Sequence, residues 1–236
     1  MFTAFLRPAR RELIVAFLVL ALMLGFGRFL AGDGQAWNIL ACSASAIAFA
    51  VITSRLPAVL SLDVPLRTWL TGLTVSALLW SGLLAVVGTT AAVIMQLRSP
   101  YYAWYDTFLV TDGPKDWVDT NGAPYVVDEA GMNLATVLLT FLVYFLAFVF
   151  STLIGAMVGI IRFRFGVVAA VLSVALVLAA VIGALIWINM STLDHSLAPF
   201  PVPTSHNYQR EYLTVLIPGI LIAGLLTWLS ARRTEP

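Results

Sequence analysis

The sequence predicts an all-α integral membrane protein with six transmembrane helices and both termini in the cytoplasm. Of its 236 residues, 61% are hydrophobic and 11% are charged, whereas about a quarter of the residues in soluble domains are charged. A helix needs about 20 mainly apolar residues to cross the core of a bilayer. Six runs that contain no Asp, Glu, Lys or His meet this requirement, at residues 13–31, 35–54, 68–97, 131–161, 165–190 and 212–231.

The basic residues determine the predicted orientation. Loops on the cytoplasmic side of membrane proteins carry an excess of Lys and Arg. With a cytoplasmic N-terminus the inner side holds nine arginines and the outer side holds four basic residues, while most acidic residues fall outside. The inner set is Arg7, Arg10, Arg11, Arg55, Arg67, Arg162, Arg164, Arg232 and Arg233, and the outer set is Arg28, Arg98, Lys115 and Arg210.

The first element, residues 1–12, reads as an amphipathic helix on the cytoplasmic surface of the membrane. It combines apolar and basic side chains at helical spacing, a composition typical of interfacial helices. The apolar run that follows is long for a signal peptide and has no clean cleavage site, so we expect it to remain in the protein. The side chains of this interface helix are Phe2, Phe5, Leu6, Arg7, Arg10 and Arg11.

The connector between the second and third runs, "SRLPAVLSLDVPLR" (residues 54–67), is unusually apolar for a loop. Six of its fourteen residues are Leu or Val. Pro57 suits the first turn of a short helix over residues 56–62, and Pro65 closes the segment. Such a helix can bury its apolar side chains in two ways, in the lipid headgroup region or in a groove on a soluble partner.

Two long loops are predicted on the outer side. Residues 98–130 combine aromatic side chains suited to the headgroup level with the turn sequences "TDGPKDW" and "DTNGAP", which predict a small ordered cap, such as a hairpin, with an acidic surface. Residues 191–211 contain "LAPFPVP", which is too rich in proline for a regular helix. The aromatic residues of the first loop are Tyr101, Tyr102, Trp104 and Tyr105.

The spans themselves carry little chemistry. Ionisable side chains in mid-membrane usually mark ion or proton pathways, and the only one in the six runs, Arg28, is predicted near a membrane edge. Gly155 and Gly159 have the spacing that allows close helix packing.

His195 and His206 have no spacing typical of a metal site, which needs three or four ligands, and no phosphate-binding loop is present. A net charge of +1 argues against nucleic acid as a partner.

The order of these elements resembles the membrane subunit of ABC transporters of the ABC-2 (type V exporter) class, small bacterial six-span type. The stretch "IGAMVGIIRFRFG" (residues 154–166) is similar to a span end and Arg-Phe-Gly turn of such permeases. The loop 98–130 is longer than this resemblance implies. The resemblance makes residues 56–62 a coupling helix that docks into an ATPase, with Leu56, Pro57, Val59, Leu60, Leu62 and Asp63 as its contact residues, and it puts Arg162 and Arg164 in the second cytoplasmic turn.

By the same resemblance this chain is not itself an enzyme and binds no cofactor. ATP and Mg²⁺ would be bound by a separate ATP-binding cassette subunit, and a second permease copy or a sister permease would complete a dimer in the bacterial inner membrane. The apolar spans favour a hydrophobic, lipid-like or peptide substrate. Three alternatives stay open: an accessory or scaffold subunit that docks through its outer loop, a channel or carrier that works alone, and a membrane enzyme that uses His195 or His206.

Overall fold

The computed structural model describes residues 10–56, 64–99, 101–112, 117–118, 124–125, 128–193 and 205–232. Within this part the chain is almost entirely helical. Five helices, all of them long and apolar enough to cross a membrane, indicate a multi-pass membrane protein. They are α1 (Arg10–Ala31), α2 (Gly34–Thr53), α3 (Leu66–Arg98), α4 (Leu134–Leu193) and α5 (Ser205–Arg232).

Short elements lie between α3 and α4. Two 3-10 helices, Tyr102–Trp104 and Asp128–Gly131, flank a ladder of two-residue strands, β1 (Trp117–Val118) and β2 (Pro124–Tyr125). The strands are antiparallel, with Trp117 opposite Tyr125. This ladder lies where the turn sequences predict a hairpin.

The first four helices form a four-helix bundle. Around the bundle α1 neighbours α2, α2 neighbours α4, α4 neighbours α3, and α3 neighbours α1, while α5 packs on the outside of α4. The interior is apolar, with Leu24, Phe49, Trp69, Leu84 and Phe148 fully or almost fully buried. Many large apolar side chains point outward instead, as expected of helices that face lipid. We call the end at which α1 passes into α2 the upper end, and the opposite end the lower end.

Helix α4 is interrupted at Gly166. Its backbone there has φ 85° and ψ −179°, a conformation that glycine adopts without the steric cost other residues incur. Side chains from both arms, including Met157 before the break and Val177 after it, line the same cavity of about 190 Å³ beside α5. A continuous helix would separate these two residues by about 30 Å, so the chain changes direction sharply at Gly166.

The predicted loop at residues 191–211 is shorter in the structure. Helix α4 extends to Leu193 and α5 begins at Ser205, and the residues between them, 194–204, lie outside the described part. The prediction started the last span at Tyr212 because the preceding residues are polar. Backbone hydrogen bonds do not require apolar side chains, so a helix can continue beyond the membrane core.

Helices α2 and α4 approach each other closely at two glycines. A Cβ at Gly155 would overlap the carbonyl group of Ala46, and one at Gly159 would overlap the side chain of Thr53. Thr53 Oγ1 also donates a hydrogen bond to the carbonyl oxygen of Ala156, at 3.2 Å. The absence of side chains at these two glycines therefore sets the distance between α2 and α4.

We expect the substitution Gly155→Ala to destabilise the bundle. The added methyl group meets backbone rather than a flexible side chain, and overpacking of this kind typically costs about 1–3 kcal/mol. Gly82→Ala is the matched control, since its Cβ would come no closer than 4.0 Å to Phe145. Thermal unfolding of the two variants in detergent measures the difference, and equal melting temperatures would contradict this account of the packing.

Candidate functional site

The most polar part of the described interior surrounds Arg28, in the last turn of α1. The apolar pattern places Arg28 at a membrane edge, but the structure buries its side chain completely. Its Nη1 atom lies 2.9 Å from Asp106 Oδ2 and donates to the carbonyl oxygen of Gly88 at 3.2 Å. Its Nη2 atom donates to Tyr144 Oη at 2.6 Å and to Asn38 Oδ1. The guanidinium group thus contacts four separate elements of the fold.

Asp106 receives the converging hydrogen bonds at the centre of this network. Its Oδ2 atom accepts from Arg28, from Tyr144 Oη at 2.8 Å and from Tyr102 Oη at 3.1 Å. Its Oδ1 atom accepts from Asn38 Nδ2 at 2.7 Å and from the backbone N–H of Phe108 at 3.1 Å. Five donors therefore satisfy one carboxylate that has no exposed surface.

The carboxylate enters the bundle from residues 101–112, which include the 3-10 helix Tyr102–Trp104 and which we call the cap segment. Gln35 N–H donates to the carbonyl oxygen of Tyr105 at 2.7 Å, and Val110 N–H donates to Thr140 Oγ1 at 3.0 Å. The cap segment is thus fastened to both α2 and α4. A Cβ at Gly34 would lie 2.6 Å from the side chain of Asp106, so the start of α2 needs glycine for this close approach.

Polar contacts also cross the bundle between helices that are not neighbours. Arg28 on α1 reaches Tyr144 on α4, and Trp80 Nε1 on α3 donates to Ser45 Oγ on α2 at 3.0 Å. The Arg28 contact lies near the upper end, and the Trp80 contact lies closer to mid-bundle. Together these two contacts connect both pairs of diagonally opposed helices, α1 with α4 and α2 with α3. They close the interior of the bundle near its upper end and near its middle.

The electrostatics of the network follow from burial. A lone charge in this apolar setting would be costly, and the pairing of Arg28 with Asp106 makes the cluster neutral. Burial and the nearby Asp106 carboxylate raise the pKa of Tyr102, so its hydroxyl group stays protonated and donates. The chemistry of the network is that of a carboxylate held by a guanidinium group, which locks the cap segment into the bundle.

The lower end brings together the beginning of α1 and the end of α2. Arg55 Nη2 lies 2.9 Å from Glu12 Oε2, in a partly exposed ion pair. Leu56 is fully buried in the core, so this predicted coupling residue supports the bundle rather than presenting an apolar surface. The other predicted coupling residues, Pro57, Val59, Leu60, Leu62 and Asp63, lie outside the described residues.

The remaining predicted site residues are distributed as follows. Arg10 and Arg11 are exposed in the first turn of α1, whereas Phe2, Phe5, Leu6 and Arg7 precede the described part. Arg162 is exposed, and Arg164 is half-buried, with Nη1 3.4 Å from the carbonyl oxygen of Ser230. Over the ranges that the structure describes, no group of three or more His, Cys, Asp or Glu side chains could hold a metal ion.

Comparison with known proteins gave no relative for this arrangement. No protein-family model, no curated protein and no solved structure matches the chain. The interpretation of the site therefore depends on its own geometry.

We expect Asp106→Asn to destabilise the protein strongly. Asparagine keeps the shape of the side chain but leaves the Arg28 charge buried without its counter-ion, and removing one partner of a buried pair typically costs about 3–5 kcal/mol. Asp112→Asn is the matched control in the same segment, because Asp112 is exposed and exposed charges contribute about 1 kcal/mol or less. Thermal unfolding in detergent compares the two, and similar melting temperatures would contradict a dominant role for the ion pair.

A second pair of variants distinguishes the charge from the shape of the network. The double variant Arg28→Met/Asp106→Asn removes both charges of the ion pair. It should be more stable than Asp106→Asn alone, because no uncompensated charge stays buried. The measurement is the interaction energy from unfolding of both single variants and the double variant. Strict additivity of their effects would show that the two side chains act independently.

Proposed function

We propose that this chain is the membrane-spanning subunit of an ATP-driven transporter of the ABC-2 type, which exports a hydrophobic, lipid-like or peptide substrate. A separate ATP-binding cassette subunit, with its ATP and Mg²⁺, docks at the lower end. A second copy of the chain or a sister permease completes the transport path. Observations at the lower end, at the break in α4 and at the upper end support this proposal.

The observation that carries the proposal is the ion pair between Glu12 and Arg55 at the lower end. It joins the interface helix of the resemblance, residues 1–12, to the residue that directly precedes the coupling helix, residues 56–62. Because Leu56 is anchored in the core, a force applied to the connector passes directly into the bundle. A connector fixed in this way suits the transmission of ATPase closure to the membrane helices.

The proposed topology has six spans with cytoplasmic termini in a bacterial inner membrane. The break at Gly166 divides α4 into arms of about 48 and 40 Å, each long enough to cross a bilayer core of about 30 Å. The turn at Gly166 follows Arg162 and Arg164, which lie on the cytoplasmic side in this topology. The arginines are then concentrated inside, in agreement with the charge rule for membrane proteins.

The cap segment has a defined place in this proposal. An exporter must close its outer end while substrate enters from within, and the buried Asp106 closes the upper end of the bundle. Export would then require the cap segment to move or the path to run between two permeases. Among the described residues, the charged side chains buried in the bundle are Arg28 and Asp106, which pair with each other, and an interior without other charges fits transport that is driven by a partner ATPase.

We expect Leu60→Asp to abolish association with the ATPase while the protein still inserts in the membrane. The change adds a charge to an apolar docking surface, and Ser61→Asp adds the same charge at the next position as a control. The measurement is mass spectrometry of proteins that copurify with the tagged chain from its native host in mild detergent. Retention of a nucleotide-binding protein by Leu60→Asp, or its absence even from crosslinked wild-type protein, would contradict the proposal.

A second candidate function is that of an accessory subunit that docks through its outer loop. The firm attachment of the cap segment to α2 and α4 favours it, because a fixed segment presents whatever it carries in one orientation. Deletion of residues 113–123 should then abolish copurification of a membrane partner while Leu60→Asp has no effect. The two candidate functions thus predict opposite results for the same pair of variants.

A further inference from the structure

A groove between α1 and α3 forms a cavity of about 250 Å³ in the lower half of the bundle. Its floor is Phe49 of α2, and its single polar lining residue is Ser76. The residues at its rim, such as Leu18, Leu79 and Leu83, are each about half exposed, so the groove opens on the surface that faces lipid. Its walls include Ile14, Phe17, Leu18, Leu79, Trp80 and Leu83.

Two arginines lie at the lower end of this groove. On a helix, residues three and four apart are neighbours on one face, which places Arg10 next to Leu13 and Ile14 and places Arg11 next to Ile14. Both arginines are exposed. The nearest described carboxylate along α1, Glu12, is already paired with Arg55, so the positive charge of Arg10 and Arg11 is not neutralised by it.

We propose that this groove is a binding site for a phospholipid with an anionic headgroup. One acyl chain lies between α1 and α3, and the phosphate group lies at Arg10 and Arg11. The apolar lining matches hydrocarbon, the lateral opening gives access from the bilayer, and the charge at the lower end matches the headgroup. Pockets that enclose a drug-sized molecule have volumes of about 300–1,000 Å³. The groove, at about 250 Å³, is somewhat smaller, which suits part of one acyl chain.

Ser76 adds a polar feature at the expected depth. The ring contact between Phe17 and Trp80, with centroids 5.5 Å apart, aligns the two parallel helices and puts Ser76 level with Leu13, one turn above Arg10. Ser76 Oγ has no hydrogen-bond partner among the described residues. The ester groups of a phospholipid lie between its phosphate and its acyl chains, at this same level of the groove.

This inference does not depend on transport, and it is tested with purified protein. The full chain is stripped of lipid in detergent and titrated with phosphatidylglycerol or phosphatidylcholine, and bound lipid is counted by native mass spectrometry. We expect tighter binding of phosphatidylglycerol. Arg10→Gln/Arg11→Gln should weaken that binding by about 10- to 30-fold, as expected for two basic groups near an anionic headgroup, and should leave phosphatidylcholine unaffected.

Two further variants test the groove itself. Leu18→Trp should reduce binding of both lipids because the larger side chain fills the groove, whereas Ile39→Trp, at an exposed position on α2, should not. Arg98→Gln/Arg162→Gln removes the same charge elsewhere and serves as the control for the arginine variant. Melting temperature and elution volume establish that each variant is folded. Equal affinity for the two lipids, or wild-type binding by folded Leu18→Trp, would overturn the proposal.

Discussion

The ion pair between Arg28 and Asp106 is the interaction on which the upper end of the bundle depends. In a low-dielectric interior a guanidinium group without a counter-ion is costly, so α1 and the cap segment are stable only together. Asn38 and Tyr144 bind both members of the pair, which extends the same requirement to α2 and α4. One charged contact thereby specifies how four elements meet, whereas apolar side chains alone would allow many arrangements.

The two ends of the bundle have different chemistry. The upper end is closed by a neutral polar network centred on Arg28 and Asp106, and the lower end presents two exposed arginines below an apolar groove. Between them, the contact of Trp80 with Ser45 fixes the spacing across the interior. Among the described residues, fewer buried side-chain hydrogen bonds join different elements at the lower end than at the upper end.

The sequence predicts the helices well because a long apolar run is a local property. It also locates the break near Gly166, since two arginines and a glycine interrupt the apolar pattern there. The network was missed because its members are up to 116 residues apart, and hydropathy carries no information on such pairs. The sequence does contain one signal of the network. Arg28 is the single charged residue within the six apolar runs, and a charge in an apolar setting needs a partner of opposite charge. Asp106, which lies among aromatic residues in the sequence, is a candidate for that partner. The burial of Leu56 could not be predicted from the connector sequence either, because burial depends on which residues pack against a side chain.

The separation of Arg28 from Asp106 along the chain, 78 residues, has a consequence for biosynthesis. Ribosomes add about 5–20 residues per second, so the first hairpin spends several seconds at the translocon before its counter-charge has been made. During that interval Arg28 must keep its guanidinium group among headgroups or water. Tyr144 emerges later still. The amino-terminal half of the protein therefore reaches its native position only after most of the chain has been synthesised, and a truncated product that ends before Asp106 would expose a charge by which quality-control proteases can recognise it.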